Sequence, residues 1–177
     1  VTAPYGVPTG AVTFTVDSVD TVAPLVDGMA SITRSDLAVG DHVALVSYGG
    51  EDYFDPSASL PYTQTVIRAT SDITVASAPK PSATSDTVTF TATVAAVPPG
   101  AGMPTGNVTF TVGATVFTAT LDANGVAVAQ RNDLTVGVHG VTAAYQGDVN
   151  FTDTTVNGAD QDVQATLAVF MDGTGAG

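Results

Sequence analysis

The sequence has no cysteine, no tryptophan, one lysine (Lys80), three arginines (Arg34, Arg68 and Arg131) and two histidines. Without cysteine there is no disulfide framework, no thiol nucleophile and no cysteine metal site. Four scattered cations against 17 carboxylates leave a net charge of −13. A nucleic-acid surface needs lysines and arginines to displace counterions, so nucleic acid is not an expected partner. Anionic membranes are disfavoured for the same reason. No apolar run approaches the ~18 residues a spanning helix needs, so no membrane insertion is expected. Nor does any segment sustain a 3.6-residue period, and no helix beyond a single turn is expected.

What remains is apolar or uncharged. Hydrophobic residues make up 44% of the 177 and charged residues only 12%, about half the usual charged share. A core is therefore within reach, and its wet covering must come from Thr, Ser, Asn and Gln. That composition suits antiparallel sheets with Val on one face and Thr on the other. Val12, Phe14 and Val16 alternate with Thr13 and Thr15, and Val88, Phe90, Ala92 and Val94 alternate with Thr87, Thr89, Thr91 and Thr93. A period of two marks half-buried strands. Asp27-Gly28 and Asn124-Gly125 tolerate positive φ and read as hairpin turns.

An internal repeat organises the chain. Pro8–Val16 recurs as Pro104–Val112, 96 residues on, with eight of nine positions identical. From Asp27 to Val66 the offset is 97, and Arg34, Asp36, His42, Tyr48, Phe54 and Gln64 recur as Arg131, Asp133, His139, Tyr145, Phe151 and Gln161. A period this long is a whole domain rather than a solenoid unit. The second copy reads as seven strands near 70–77, 86–97, 105–112, 115–121, 125–131, 138–146 and 158–166. Seven short antiparallel strands in about 100 residues make an immunoglobulin-like sandwich. The fold expected is all-β: two tandem immunoglobulin-like antiparallel β-sandwich modules.

The expected layout is a module at 1–68, a complete module at 69–166, and a tail or the start of a next module at 167–177. Val1 aligns with Val97, the end of the second strand, so the first module is expected to lack its two opening strands. The chain reads as a window of a longer array, and its start at Val1 rather than Met fits that or a removed leader. Three things could cover the first module: strands of the parent chain, residues 1–6 folded back, or a strand from another chain, with Ala165–Met171 as donor. Val88, Phe90, Val108, Phe110, Leu121, Leu134, Val141, Tyr145 and Phe151 are expected core in the second module. Val12, Phe14, Val16, Val43 and Leu45 are expected to face the core of the first.

Several repeated motifs resemble one family. They are Pro104-Thr105-Gly106-x-Val108-Thr109-Phe110, Leu121-Asp122-x-Asn124-Gly125-x-Ala127, Leu134-x-Val136-Gly137-x-His139 and Tyr145-x-Gly147-Asp148-x-x-Phe151. Together they resemble the bacterial Ig-like repeat domains of large surface proteins. Ser77–Ser82 followed by Val88–Val94 is similar to the opening two strands of that domain. The resemblance covers 70–166 fully and 7–66 partly. It implies a fold and leaves the role open, because such modules serve as spacers, stalks and adhesive heads.

Few residues invite chemistry. His42 and His139 follow Leu-x-Val-Gly, where other sandwiches place a corner tyrosine bonded back to the backbone. They read as structural corner residues. Arg34 with Asp36 and Arg131 with Asp133 read as short-range ion pairs. The acidic loops 50–55 and 147–153 offer Glu51, Asp52, Asp55, Asp148 and Asp153 as weak Ca²⁺ candidates. Calcium takes six to eight oxygens, and the competing reading is a solvated loop with Phe54 and Phe151 plugging the core. Asn107-Val108-Thr109 and Asn150-Phe151-Thr152 match the glycosylation sequon.

No catalytic constellation is present, so no enzyme and no cofactor are expected apart from that Ca²⁺. The leading expectation is a structural or interaction module of an extracellular surface, fibre or virion-decoration protein, acting as stalk, spacer or assembly subunit. Its partners would be copies of itself or neighbouring modules of a longer chain, and its place the cell exterior or surface, or a virion surface. The alternative is an adhesin module that binds a glycan or protein through its loops, with Tyr53 and Tyr62 as the loop aromatics.

Overall fold

The computed structural model describes residues 6–166, and among them there are only strands, turns and bridges. Two compact units divide the chain, Val1–Ile67 and Arg68–Gly177. The all-β expectation holds, and each unit follows its own route to a core.

In the first unit, β1 (Ala11–Val16), β2 (Val19–Pro24), β3 (Gly40–Tyr48), β4 (Ser57–Ala58) and β5 (Tyr62–Val66) form a single sheet. Its order is β2-β1-β3-β4, with β5 also paired to β3. Alternating Val and Thr in β1 suit the pleated, half-covered surface. Asp17 and Ser18, at φ of 48° and 68°, close the two-residue β1–β2 turn, whose central positions both need positive φ.

The second unit holds β6 (Ser71–Ala78), β7 (Ser82–Ala83), β8 (Val88–Ala96), β9 (Asn107–Val112), β10 (Thr115–Thr120), β11 (Val126–Arg131), β12 (Gly137–His139), β13 (Val141–Tyr145), β14 (Thr154–Asn157) and β15 (Gln161–Gln164). They form three sheets, β10-β9-β13-β14, β11-β8-β6 and β12-β15-β7. The first two supply most of the core. Phe90 on β8 lies 6.4 Å from Phe110 on β9 and 5.6 Å from Phe117 on β10, between ring centroids, while Phe110 and Phe117 stack at 5.5 Å. Phe90, Phe110, Val108 and Ala127 are completely buried.

Several details differ from the sequence reading. The expected strand 138–146 breaks at Gly140, which lacks the side chain that would pack a strand interior. Before the break β12 pairs with β15, and after it β13 pairs with β9 and β14. Val43 occupies the equivalent place in the first unit, where β3 runs unbroken. The last expected strand, 158–166, narrows to β15, and β14 forms ahead of it where no strand was expected. Asn124-Gly125 is a turn, with Gly125 at φ 73°, but it carries the chain between sheets, because β10 and β11 pair with different strands. One pairing is parallel, Val163 opposite Ser82.

The core expectations hold except at four positions, of which Phe14 is half-buried. Leu134 is half-buried against the core rather than within it. Val43 and Leu45 face outward, 45% and 37% exposed, because the inward residues of β3 are the even ones, Ala44, Val46 and Tyr48. The suggested donor Ala165–Met171 lies outside the described residues from 167 onward, as does the suggested cover at residues 1–6 apart from Gly6.

Phe110→Ala should cost about 3–5 kcal/mol in a denaturant titration, because it empties a sealed site. A loss under about 1 kcal/mol would contradict that packing. Phe14→Ala, at the half-buried equivalent, should cost about half as much or less.

Candidate functional site

The repeated loops after β3 and β13 carry most of the acidic side chains singled out above. Each begins with a left-handed glycine, Gly50 at φ 81° and Gly147 at φ 75°. A Cβ on Gly50 would stand 2.8 Å from the Phe54 carbonyl, and one on Gly147 would stand 2.9 Å from the Phe151 carbonyl. The tight turn lets Glu51 and Phe54 exchange backbone hydrogen bonds at 2.9 Å each, and the Asp148 N–H reach the Phe151 carbonyl at 3.0 Å. Phe151 is thereby turned into the core, and Phe54 is half-buried.

The first carboxylate of each loop acts as a strut. Glu51 accepts from the Thr9 N–H at 2.8 Å and the Thr9 hydroxyl at 2.6 Å. Asp148, shorter by one methylene, uses one oxygen on the Thr105 N–H and hydroxyl, at 2.9 and 2.7 Å. Its other oxygen accepts from the Asn150 and Phe151 N–H groups, both at 2.8 Å. Partial burial works to raise the Asp148 pKa, but the Thr105 hydroxyl and then these backbone donors outweigh it and hold it at about 2. Thr9 lowers Glu51 in the same way. Beside each strut lies a tyrosine hydroxyl, Tyr48 or Tyr145, buried and without a hydrogen-bond partner among the described residues. Burial, then the Asp148 charge, pushes Tyr145 up to about 12.

Asp52, Asp55 and Asp153 are exposed. Among the described residues no three His, Cys, Asp or Glu side chains gather as metal ligands would. Each Asp148 oxygen already accepts two hydrogen bonds, whereas each Glu51 oxygen accepts one from Thr9.

His42 is the third residue of β3, and His139 is the last residue of β12. His42 places Nε2 2.8 Å from the Ala38 carbonyl, and His139 places Nε2 2.7 Å from the Thr135 carbonyl, each four residues back. His42 also contacts Asp17 through Nδ1 at 2.5 Å, and Asp17 accepts from the Val43 N–H at 3.0 Å. Gly113 replaces Asp17 in the second unit, and a Cβ there would stand 2.9 Å from His139 Nδ1. The Asp17 hydrogen bond, then the Ala38 carbonyl, raises His42. His42 in turn lowers Asp17, with help from the Val43 N–H.

Arg34 grips Asp36 through two hydrogen bonds of 2.7 Å, which hold Asp36 at about 2. Arg131 grips Asp133 in the same two-pronged way and also lies 5.4 Å from the Phe117 centroid, a cation–π position. In the sequons, Asn107 accepts from the Thr120 hydroxyl at 2.8 Å and Asn150 is exposed. Sequence reasoning missed the Thr–carboxylate struts, although the signal was there: Thr9 and Thr105 recur in step with Glu51 and Asp148. It also missed Gln161, fully buried, whose amide donates to the Pro79 carbonyl and the Ser82 hydroxyl, both at 3.1 Å.

The family model described as bacterial Ig-like domain (group 3) matches residues 1–67 and 74–164. No curated protein matches the chain. Among solved structures, the fibronectin(III)-like modules of Clostridium thermocellum CbhA are 17% identical at a TM-score of 0.44, covering 93% of this chain and 82% of that one. A 1.5-MDa bacterial ice-binding adhesin is 15% identical at a TM-score of 0.40, covering 90% and 55%. A Ca²⁺-stabilized adhesin of an Antarctic bacterium is 16% identical at a TM-score of 0.36, covering 92% and 42%. The chain therefore spans about half the length of each adhesin structure.

Two pH effects follow, with opposite signs. Asp148 is depressed from 3.8 to about 2, so its stabilisation is complete above pH 3.8 and is lost as pH falls through about 2. Acid melting curves of the chain should weaken across that window, and Asp148→Asn should flatten the change. His42 is raised above 6.5, so its stabilisation is complete below pH 6.5 and fades as pH rises through the elevated value. Asp17→Gly, which copies the second unit, should bring the His42 NMR titration back toward 6.5; an unmoved titration would contradict the pairing. Millimolar Ca²⁺ should leave the melting temperature unchanged. A rise that Asp52→Asn or Asp148→Asn abolishes would establish a site instead.

Proposed function

The chain belongs to the bacterial Ig-like domain (group 3) family, and we propose that it is a non-enzymatic, load-bearing stalk or spacer of an extracellular surface assembly. Its two successive modules would be 1–68 and 69–166, and its partners neighbouring modules or further copies. The observation that carries this reading is the parallel pairing of β7 with β15. These strands lie near the two ends of the second unit and run the same way. Tension between those ends pulls the strands in opposite directions along their axes, so the hydrogen bonds between them are sheared together rather than unzipped in turn. The Thr84 N–H extends the ladder to the Gln164 carbonyl at 2.8 Å, and Gln161 bolts the same junction from inside.

The polar chemistry supports the same reading. Arg34, Arg131, Glu51 and Asp148 are each engaged within their own unit. The corner histidines, on this reading, tie their strands to the backbone four residues back. The adhesin alternative draws on Tyr53 and Tyr62, 72% and 64% exposed, with Tyr53 beside a shallow cleft that Val7, Thr9 and Glu51 also line.

Single-molecule pulling of the chain from its two ends tests the proposal. The second unit should give one abrupt unfolding event, and Gln161→Ala or Thr84→Pro should lower its force. Unfolding at low force without an abrupt event, or variants that leave the force unchanged, would overturn the load-bearing role. Glycan binding that Tyr53→Ala abolishes would favour the adhesin alternative.

A further inference from the structure

Among the described residues, β10 has a ladder partner on one side only, because it stands at the end of its sheet beside β9. The register fixes which backbone groups its other side carries. Thr115 lies opposite Val112 across a tight turn, and the Leu121 N–H continues the same ladder to the Gly106 carbonyl at 2.8 Å. Residues that bond across an antiparallel pair alternate with residues that do not. Thr115, Phe117, Ala119 and Leu121 therefore bond toward β9. The N–H and C=O groups of Val116, Thr118 and Thr120 point away from it.

The first unit has the same hairpin with its outer edge closed. The Leu25 N–H reaches the Gly10 carbonyl at 2.9 Å, in line with the β1–β2 register. The outward groups of β2 are therefore those of Asp20, Val22 and Pro24. Pro24 has no N–H to offer, and Asp20 sets a carboxylate on the edge, where it accepts from the Thr15 hydroxyl at 2.7 Å. Charge and proline are two means by which proteins keep an edge strand from pairing with another chain. β10 has neither: Thr-Val-Phe-Thr-Ala-Thr carries no charge, no proline and no glycine. The other long edge strands of the second unit do carry charge, Asp72 in β6 and Arg131 in β11.

The edge is also complementary to itself. A copy of β10 laid antiparallel across it, about a two-fold axis at Thr118, sets Thr118 opposite Thr118 and Val116 opposite Thr120. All three residues point their backbone groups outward, so each facing pair exchanges both of its hydrogen bonds. Side chains keep their faces in this register. Val116, 62% exposed, meets Thr120 of the second copy on the outer face, and Phe117, only partly buried at the margin of the core, gains Ala119 on the inner one. Two chains that each carry a net charge of −13 repel one another, and an uncharged strand is where close approach costs least. We propose that β10 is a docking edge for a second copy of this chain, paired antiparallel about a two-fold axis through Thr118 so that the two β10-β9-β13-β14 sheets become one. This goes beyond the stalk reading and stands whether or not the modules bear load.

Because the chain has no cysteine, single introduced cysteines read the register. Facing Cα atoms of a hydrogen-bonded pair lie about 5.5 Å apart, within disulfide reach, so Thr118→Cys should cross-link under mild oxidation about tenfold faster than Val116→Cys. A mixture of Val116→Cys and Thr120→Cys should also cross-link, since those positions face one another. Sedimentation equilibrium of the 177-residue chain should show a dimer at millimolar concentration. Thr118→Pro removes an outward N–H and none of the bonds to β9, and should raise the dissociation constant about tenfold or more while the dilute chain still melts cooperatively. A chain that stays monomeric at millimolar concentration, equal cross-linking from positions 116 and 118, or a dimer indifferent to Thr118→Pro would overturn the proposal.

Discussion

Phe90 crosses from one sheet to meet Phe110 and Phe117 on the other, and the order of the second unit hangs on that contact. A sheet of alternating Val and Thr has an apolar face that gains only when something dry lies against it. With the face sealed, β11 finds a ladder partner in β8, Gln161 finds polar partners in a dry site, and the Phe151 ring is drawn inward. The first unit carries many of the same residues without the second sheet, and those features relax: no strand spans 30–34, Gln64 turns outward, and Phe54 is half-buried.

The charged groups do their work at short range. With few cations in the chain, Arg34 and Arg131 each hold a carboxylate two residues away. The acidic loops direct one carboxylate each onto a threonine at the turn before β1 or β9. Such bonds on exposed groups contribute modestly to stability, but they fix which way a loop leaves its strand. Glu51 and Asp148 solve one geometric problem with side chains of different length, the longer spending both oxygens on Thr9 and the shorter dividing its oxygens between Thr105 and the loop backbone.

Much of this was legible from residue order. The repeat, the period of two, the positive-φ turns and the buried Val108–Phe110 stretch are local properties, since alternation and turn chemistry act over a few residues. They determined an all-β chain of repeated modules and most of its core. The struts were half-legible, as recurrent threonines and carboxylates whose meeting some 42 residues apart no local rule announces. Tertiary structure alone decided which side of β3 faces inward, because Val43 and Leu45 are as apolar as Ala44 and Val46. It decided that a strand would break at Gly140, where the pairing changes sheets, and that β7 would run parallel to β15. It also decided that one motif makes β11 in the second unit and no strand in the first. Each outcome depends on which backbone lies alongside, and a ladder needs two edges, while a sequence pattern describes only one.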